Sequence, residues 1–364
     1  MDVKKELRKI KFFEVKPDLK TLKPNERRAL HLCIEAARIL DSIYVKQVCG
    51  DKLEQYLEII KKSKDKAHVK RFFKINAGPW SRFHDDAPFL KGVGKKPRGV
   101  SFYPKDLTVN EWKNYLKRNP SYREKFESPV TIIRRKGRQL VAIPYNELFG
   151  EELEKASSLL LKASKILKKG PLVSYLRERS KALLTNNYRK SDIAWLRTNG
   201  FPFEIVFGPI EVYEDKFMGL KATFESFIGI HDKKMTDYVQ SFKKYIPNFN
   251  KILAKKFGYS SKGSLTPMVV FSDVTRNGEA GAGRQFVAAN LPNDREIYEK
   301  YGSKKVFSKT MILHALSFYY RTMLCILVST IFYITKILYC AAKIHFFTSG
   351  VILYTVLKYF SNIF

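Results

Sequence analysis

Side chains able to do chemistry crowd into one short stretch: Glu211, Tyr213, Glu214 and Asp215 lie within the run FEIVFGPIEVYEDKFMGLKATFESF from Phe203 to Phe227. Carboxylates and a phenol held just past the end of a strand can orient a cationic or amine-bearing ligand, because the strand fixes the backbone that carries them. A second reading stays open, since acids placed before a helix are favoured by its dipole whatever the function. Phe203, Ile205 and Phe207 alternate with Glu204 and Val206, a period of two suited to a strand, and Gly208-Pro209 breaks the run. Phe217, Leu220, Phe224 and Phe227 then fall at helical spacing. Strand, turn and helix are the expected order.

The elements around this stretch are mostly helical. Pro24 opens an expected amphipathic helix over residues 22–47, with Ala29, Cys33, Ala36, Leu40 and Ile43 on one face. Leu53 to Phe73 reads as a further helix with a basic outer face. Gly78 to Tyr103 is rich in Gly, Pro and aromatics without a helical period, which predicts an ordered loop. Within it Gly92-Val93-Gly94-Lys95-Lys96 lacks the Ser or Thr and the helix that a phosphate-binding loop requires. Thr108 and Glu111 form a capping box that starts a helix through Trp112 and Leu116. Val130–Ile133 and Leu140–Ile143 flank Lys136-Gly137 and predict a hairpin.

Glu151 to Lys168 and Val173 to Leu184 are expected helices separated by Gly170-Pro171, and Ser191-Asp192 is expected to cap the turn carrying Trp195. Lys234 to Phe257 is an amphipathic helix broken by Pro247, and Pro267 to Asp273 is a buried strand. The NGEAGAG run from Asn277 to Gly283 follows that strand, but its order is G-x-x-G-x-G and a strand-like QFVAANL comes next. A flexible glycine turn fits it better than a dinucleotide site. Strands interleaved irregularly among helices give an α+β class: a mostly helical body with a small β component, followed by a hydrophobic tail.

A chain of 364 residues, 45% hydrophobic and 14% aromatic, has material for two domains and a large core. The net charge of +32 raises nucleic acid and anionic membrane as partners. The lysines are spread along the chain among acids with no nucleic-acid-binding module, so they read as a solvated surface and no nucleic-acid partner is expected. Cys33, Cys49, Cys325 and Cys340 have no metal-ligand spacing and imply no disulfide framework. The amino-terminal residues lack a signal-peptide core, and the expected location is cytoplasmic.

GPIE-x-YED at Gly208 to Asp215 resembles a motif of the dipeptidyl peptidase III family of zinc metallopeptidases, particularly its bacterial zinc-hydrolase-like branch. So do GDK at Gly50 to Lys52, INAGPWSR at Ile75 to Arg82, GVGKKPRGVSFYPKDLT at Gly92 to Thr108 and NLPND at Asn290 to Asp294. The resemblance spans roughly residues 12–309. It implies a two-lobed peptidase-like fold, short peptides as partners, and removal of dipeptides from peptide amino termini. It further implies that Glu211, Tyr213, Asn290 and Asn293 hold the free amino terminus and backbone of a bound peptide. A carboxylate pairs with an α-ammonium and side-chain amides serve an extended backbone, while turn formation around Pro292 is the other use for the two asparagines.

In that family zinc is held by the histidines of an HExxGH helix and a later glutamate, an arrangement that leaves a coordination position open. His31, His68, His84, His231, His314 and His345 are isolated here, and no HExxGH run occurs. The expectation is therefore residues 1–310 as the amino-terminal part of such a peptidase, with no catalytic or metal residues and no cofactor in this chain. Residues 311–364 contain Arg321, Lys336, Lys343 and Lys358 but no Asp or Glu. Leu324–Ala342 and Ile344–Phe360 are each about long enough to cross a bilayer. Two readings stay open for this tail: an out-of-frame product, or a membrane hairpin that would make the chain a membrane-anchored, non-enzymatic peptide-binding protein.

Overall fold

The computed structural model describes residues 1–10, 12, 14–258, 266–283 and 285–313. From residue 314 onward the tail lies outside the described residues, and both readings of it with it. Among the described residues no helix is long and apolar enough to cross a membrane.

The organising helix is Pro24–Cys49. Pro24 occupies its first turn, where a missing N–H costs nothing, and the Glu26 carboxylate accepts from Lys23 N at 2.8 Å. The expected face of Ala29, Cys33, Ala36, Leu40 and Ile43 is fully buried. Small residues on that face let the helix lie close against Gly150–Leu167, which in turn packs on Pro171–Thr185 through the Ser157–Ser180 hydroxyl pair at 2.8 Å. The single helix expected over 53–73 is two, Leu53–Lys61 and Lys66–Asn76. Ser191 and Asp192 do not cap a helix. They lie inside Arg189–Leu196, where Asp192 pairs with the buried Arg179. Thr108 does cap Val109–Arg118, accepting from Glu111 N at 3.1 Å. The 234–257 helix divides into Lys233–Ser241 and Ile246–Phe257, with Pro247 in the first turn of the second.

Nine strands are present among the described residues. β1 (Trp80–Ser81) pairs with β2 (Ala87–Pro88), and β3 (Thr131–Lys136) with β4 (Gln139–Pro144) in the expected hairpin around Gly137. The others are β5 (Phe203–Glu211), β6 (Thr223–His231), β7 (Met268–Gly278), β8 (Ala288–Leu291) and β9 (Lys304–Ser308). They form one sheet in the order β5-β6-β7-β9-β8, antiparallel except for β7 beside β9.

The helix expected from Phe217 to Phe227 is absent, and β6 takes its place. Every residue from Thr223 to Ile230 is buried, so both faces of the strand are covered and the period of two vanishes from its sequence. What remains imitates a helical period. Gln47 of the long helix fixes where β6 begins, accepting from Phe224 N at 2.8 Å and donating to Ala222 O at 3.2 Å. The class is α+β, with one large core around the sheet and a smaller one under the amino-terminal helices.

Candidate functional site: a carboxylate-lined face at the end of the sheet

Between β5 and β6 the chain must turn back within residues 212–222, and Asp215 makes that turn rigid. Its carboxylate accepts from the backbone N–H groups of Phe217, Met218, Leu220 and Lys221 at 2.8–3.1 Å and from Tyr103 Oη at 2.7 Å. Glu214 is equally committed. It pairs with Arg82 at 2.5 Å and Lys96 at 2.7 Å and accepts from Tyr44 Oη at 3.3 Å. Its carboxyl is held below the ordinary glutamate range by those two cations, against the opposing cost of burial. Both acids are engaged in building the loop.

Glu211 differs. It ends β5 opposite Thr223 across a bulge, and its neighbours in hydrogen-bonding reach are the neutral side chains of Asn293 and Tyr213. Burial pushes its carboxyl above the usual value, and those two donors oppose the shift. Asn293 also donates to Ile210 O at 3.1 Å, which ties the loop after β8 to the end of β5. Tyr213 is 69% exposed and stands at the rim. Just before the bulge stands Gly208, whose φ of 138° suits glycine and whose absent Cβ would sit 2.7 Å from an Arg179 guanidinium nitrogen.

Two further carboxylates share this face. Side chains two apart on a strand point the same way, so Glu225 lies on the Thr223 side of β6, beside Glu211. Its register partner is Gly278, where a Cβ would meet Phe224 O at 2.2 Å. Glu279 follows directly and accepts a hydrogen bond from Thr223 Oγ1. Burial first, then the nearby Glu279 and Glu211, push the Glu225 carboxyl well above its ordinary value, with Arg276 opposing. Glu279 is pushed up to about 8 by burial and by Glu214, with the Thr223 hydrogen bond opposing.

Of the residues singled out from sequence, the structure brings together Glu211, Tyr213 and Asn293. Asn290 lies on edge strand β8, opposite Lys305, with its side-chain carbonyl oxygen buried and unpartnered among the described residues. Glu225 and Glu279 were missed. Glu225 lay in the stretch read as a helix, and Glu279 in the NGEAGAG run read as a glycine turn. A glutamate in the middle of an apolar strand was the signal that could have found the first.

No three His, Cys, Asp or Glu side chains among the described residues form a group able to hold a metal ion. The described residues therefore offer no ligand set for the zinc that the resemblance implies.

The family model for peptidase family M49 matches residues 126–318. Among curated proteins, Nudix hydrolase 3 of Arabidopsis thaliana is 29% identical over 370 aligned residues, covering 85% of this chain and 47% of that protein. Among solved structures, DPP III from Caldithrix abyssi superposes with a TM-score of 0.81 at 36% identity, covering 88% of this chain and 61% of that one. Dipeptidyl-peptidase III from Corallococcus sp. strain EGB superposes with a TM-score of 0.79 at 29% identity, covering 86% of this chain and 59% of that one. The chain thus spans about half the length of the curated relative it matches and about three fifths of each of these structures. With the sheet, the GPIE-x-YED loop and the NLPND segment in place, this chain belongs to peptidase family M49, the dipeptidyl peptidase III family.

Proposed function

We propose that this chain captures the free amino terminus of a short peptide in a dipeptidyl peptidase III-type cleft, with Glu211 as the counter-charge. Tyr213 and Asn293 orient that carboxylate, and Asn290 offers its unpartnered carbonyl oxygen to a backbone N–H of the peptide. The observation that carries the reading is that Glu211 is a half-buried carboxylate whose hydrogen-bonding neighbours are neutral, with no ion pair among the described residues. A group so placed favours a cation brought by a ligand.

Removal of dipeptides is the reaction of the similar structures' enzyme class, and in that class it needs zinc. Since the sequence has no HExxGH run and no fitting ligand set lies among the described residues, binding is the function proposed for this chain. Metal analysis of the purified protein is expected to find far less than one zinc per chain, and dipeptidyl substrates are expected to stay intact. One tightly bound zinc with chelator-sensitive cleavage would overturn this.

Amine capture is tested by calorimetric titration with trialanine and Nα-acetyl-trialanine. The free peptide is expected to bind and the acetylated one to bind much more weakly. Equal affinities would return Glu211 to the role of an ordinary loop carboxylate.

A further inference from the structure

Three carboxylates meet around Thr223 without a counter-charge of their own. Glu211 is its register partner, Glu225 is two residues along on the same face, and Glu279 accepts its hydroxyl hydrogen bond. The nearby cations are largely committed to other groups, although Arg276 keeps one guanidinium nitrogen without a hydrogen-bond partner among the described residues and partly opposes the rise of Glu225. Arg82 is bonded to Glu214, Lys96 to Glu214 and to Asp86 at 3.0 Å, and Arg276 to Asp273 at 2.7 Å and to Phe286 O at 2.9 Å. The neighbouring titratable groups do not help. Tyr44 donates to Glu214, and the Asp41 carboxylate of the long helix accepts from Asn277 Nδ2 and Gly278 N at 2.8 Å each. Glu225 itself is 4% exposed, and no described residue donates a hydrogen bond to it.

Three anions cannot all stay charged in so small a desolvated space, because each opposes the others and burial opposes all of them. In the empty cleft protons must supply the missing positive charge. We propose that seating a peptide ammonium at Glu211 expels a proton from the Glu225–Glu279 pair, so that the cleft exchanges a proton for an amine. This exchange rests on amine capture at Glu211 and adds that the affinity is set by pH through residues the peptide's amine does not itself pair with.

The electrostatics run the right way. An opposite charge within a few ångströms lowers a carboxyl by roughly one to three pH units. Glu279 is pushed up to about 8 with Glu211 among the carboxylates that raise it, so neutralising Glu211 with an ammonium draws it back toward the ordinary range and favours release of its proton. The amine, with an ordinary value of about 7.7–8.0 and now beside carboxylates, keeps its own. The released proton therefore comes from the protein.

The test is calorimetric titration of the full chain with trialanine at pH 7 in phosphate and in Tris, whose ionisation heats differ widely. The dependence of the binding heat on the buffer counts the protons. The expected result is about one proton released per peptide and an affinity that rises roughly tenfold from pH 6 to pH 7. Glu279→Gln, with Glu225→Gln as the second variant, should lower the count and flatten the pH dependence. The wild-type count decides the matter if either variant fails to fold. Binding with a buffer-independent heat and equal affinity at the two pH values would overturn the exchange while leaving amine capture intact. So would an equal proton release on binding Nα-acetyl-trialanine, since that peptide brings no ammonium. No binding of trialanine in either buffer would remove amine capture and the exchange together.

Discussion

Two buried glutamates on neighbouring strands have met opposite fates. Glu204 on β5 has both carboxylate oxygens 3.0 Å from Lys304 Nζ and accepts from Trp195 Nε1 at 2.8 Å. Lys304 in turn donates to Thr198 Oγ1 at 2.6 Å and sits 3.9 Å over the Trp195 ring. Every charge there has its partner inside the protein. Glu225 on β6 is buried almost as deeply and has no described donor, only other carboxylates and Arg276, which pairs with Asp273 and keeps one guanidinium nitrogen unpartnered among the described residues. Burial alone therefore does not mark a functional acid. The distinguishing property is whether the fold completes the charge balance or leaves it for a ligand to complete.

The sharpest way to break this contrast is Lys304→Met. Removing one member of a fully buried pair leaves Glu204 charged, desolvated and bound only by Trp195, which should destabilise the protein by about 3–5 kcal/mol in denaturant titration. Glu225→Gln replaces a carboxyl that burial and its acidic neighbours hold protonated with a neutral amide of similar shape, and should leave stability nearly unchanged. If Lys304→Met costs under about 1 kcal/mol, or Glu225→Gln costs as much as Lys304→Met, the two sites are not different in kind.

The next effect is smaller and belongs to binding. In the proposed complex Glu211→Gln removes the negative charge opposite the peptide amine and acetylation removes the positive one. Either change alone should cost about 1.5–3 kcal/mol of peptide affinity. Both together should cost little more than one, the signature of a direct pair. Additive losses would mean that the amine and Glu211 meet different partners.

Much of this arrangement was legible from sequence where local patterning and tertiary context agree. The Pro24 helix was, because its small apolar face keeps a helical period over many turns and its capping residues are local. The 131–144 hairpin was, because its turn and alternation sit side by side. β6 was not: buried on both faces, it retains no alternation, and Phe217, Leu220, Phe224 and Phe227 fall at helical spacing by accident. That single misreading hid Glu225. Glu279 was hidden for a different reason, since its neighbours Thr223 and Glu225 are more than fifty residues away in the chain and only the pairing of β6 with β7 joins them. Glu211 was found through the resemblance, and nothing in its own neighbourhood distinguishes it from Glu214, whose partners Arg82 and Lys96 come from the Gly78–Tyr103 loop.

The last expected effect is a slope. A carboxyl raised in the folded state stabilises the fold fully below its ordinary value and loses that contribution as pH rises through the folded value. For Glu279 the window runs from about 4.5 to about 8, and over it the unfolded chain binds fewer protons than the folded one. Stability should therefore fall as pH rises, by at most about 1.4 kcal/mol per pH unit for one group. Glu214, lowered rather than raised, acts below that window. His231 and Lys221 are both pulled below their ordinary values by burial, and each contributes the opposite slope, which cancels when the variant is subtracted from the wild type. Denaturant titrations at pH 5, 6.5 and 8 should thus show Glu279→Gln flatter than the wild type, with the difference growing toward pH 8. A parallel pair of curves would mean that Glu279 is already ionised in the folded protein. The face around Thr223 would then have its charge balance completed from within, as Glu204 does, and the contrast between the two strands would collapse.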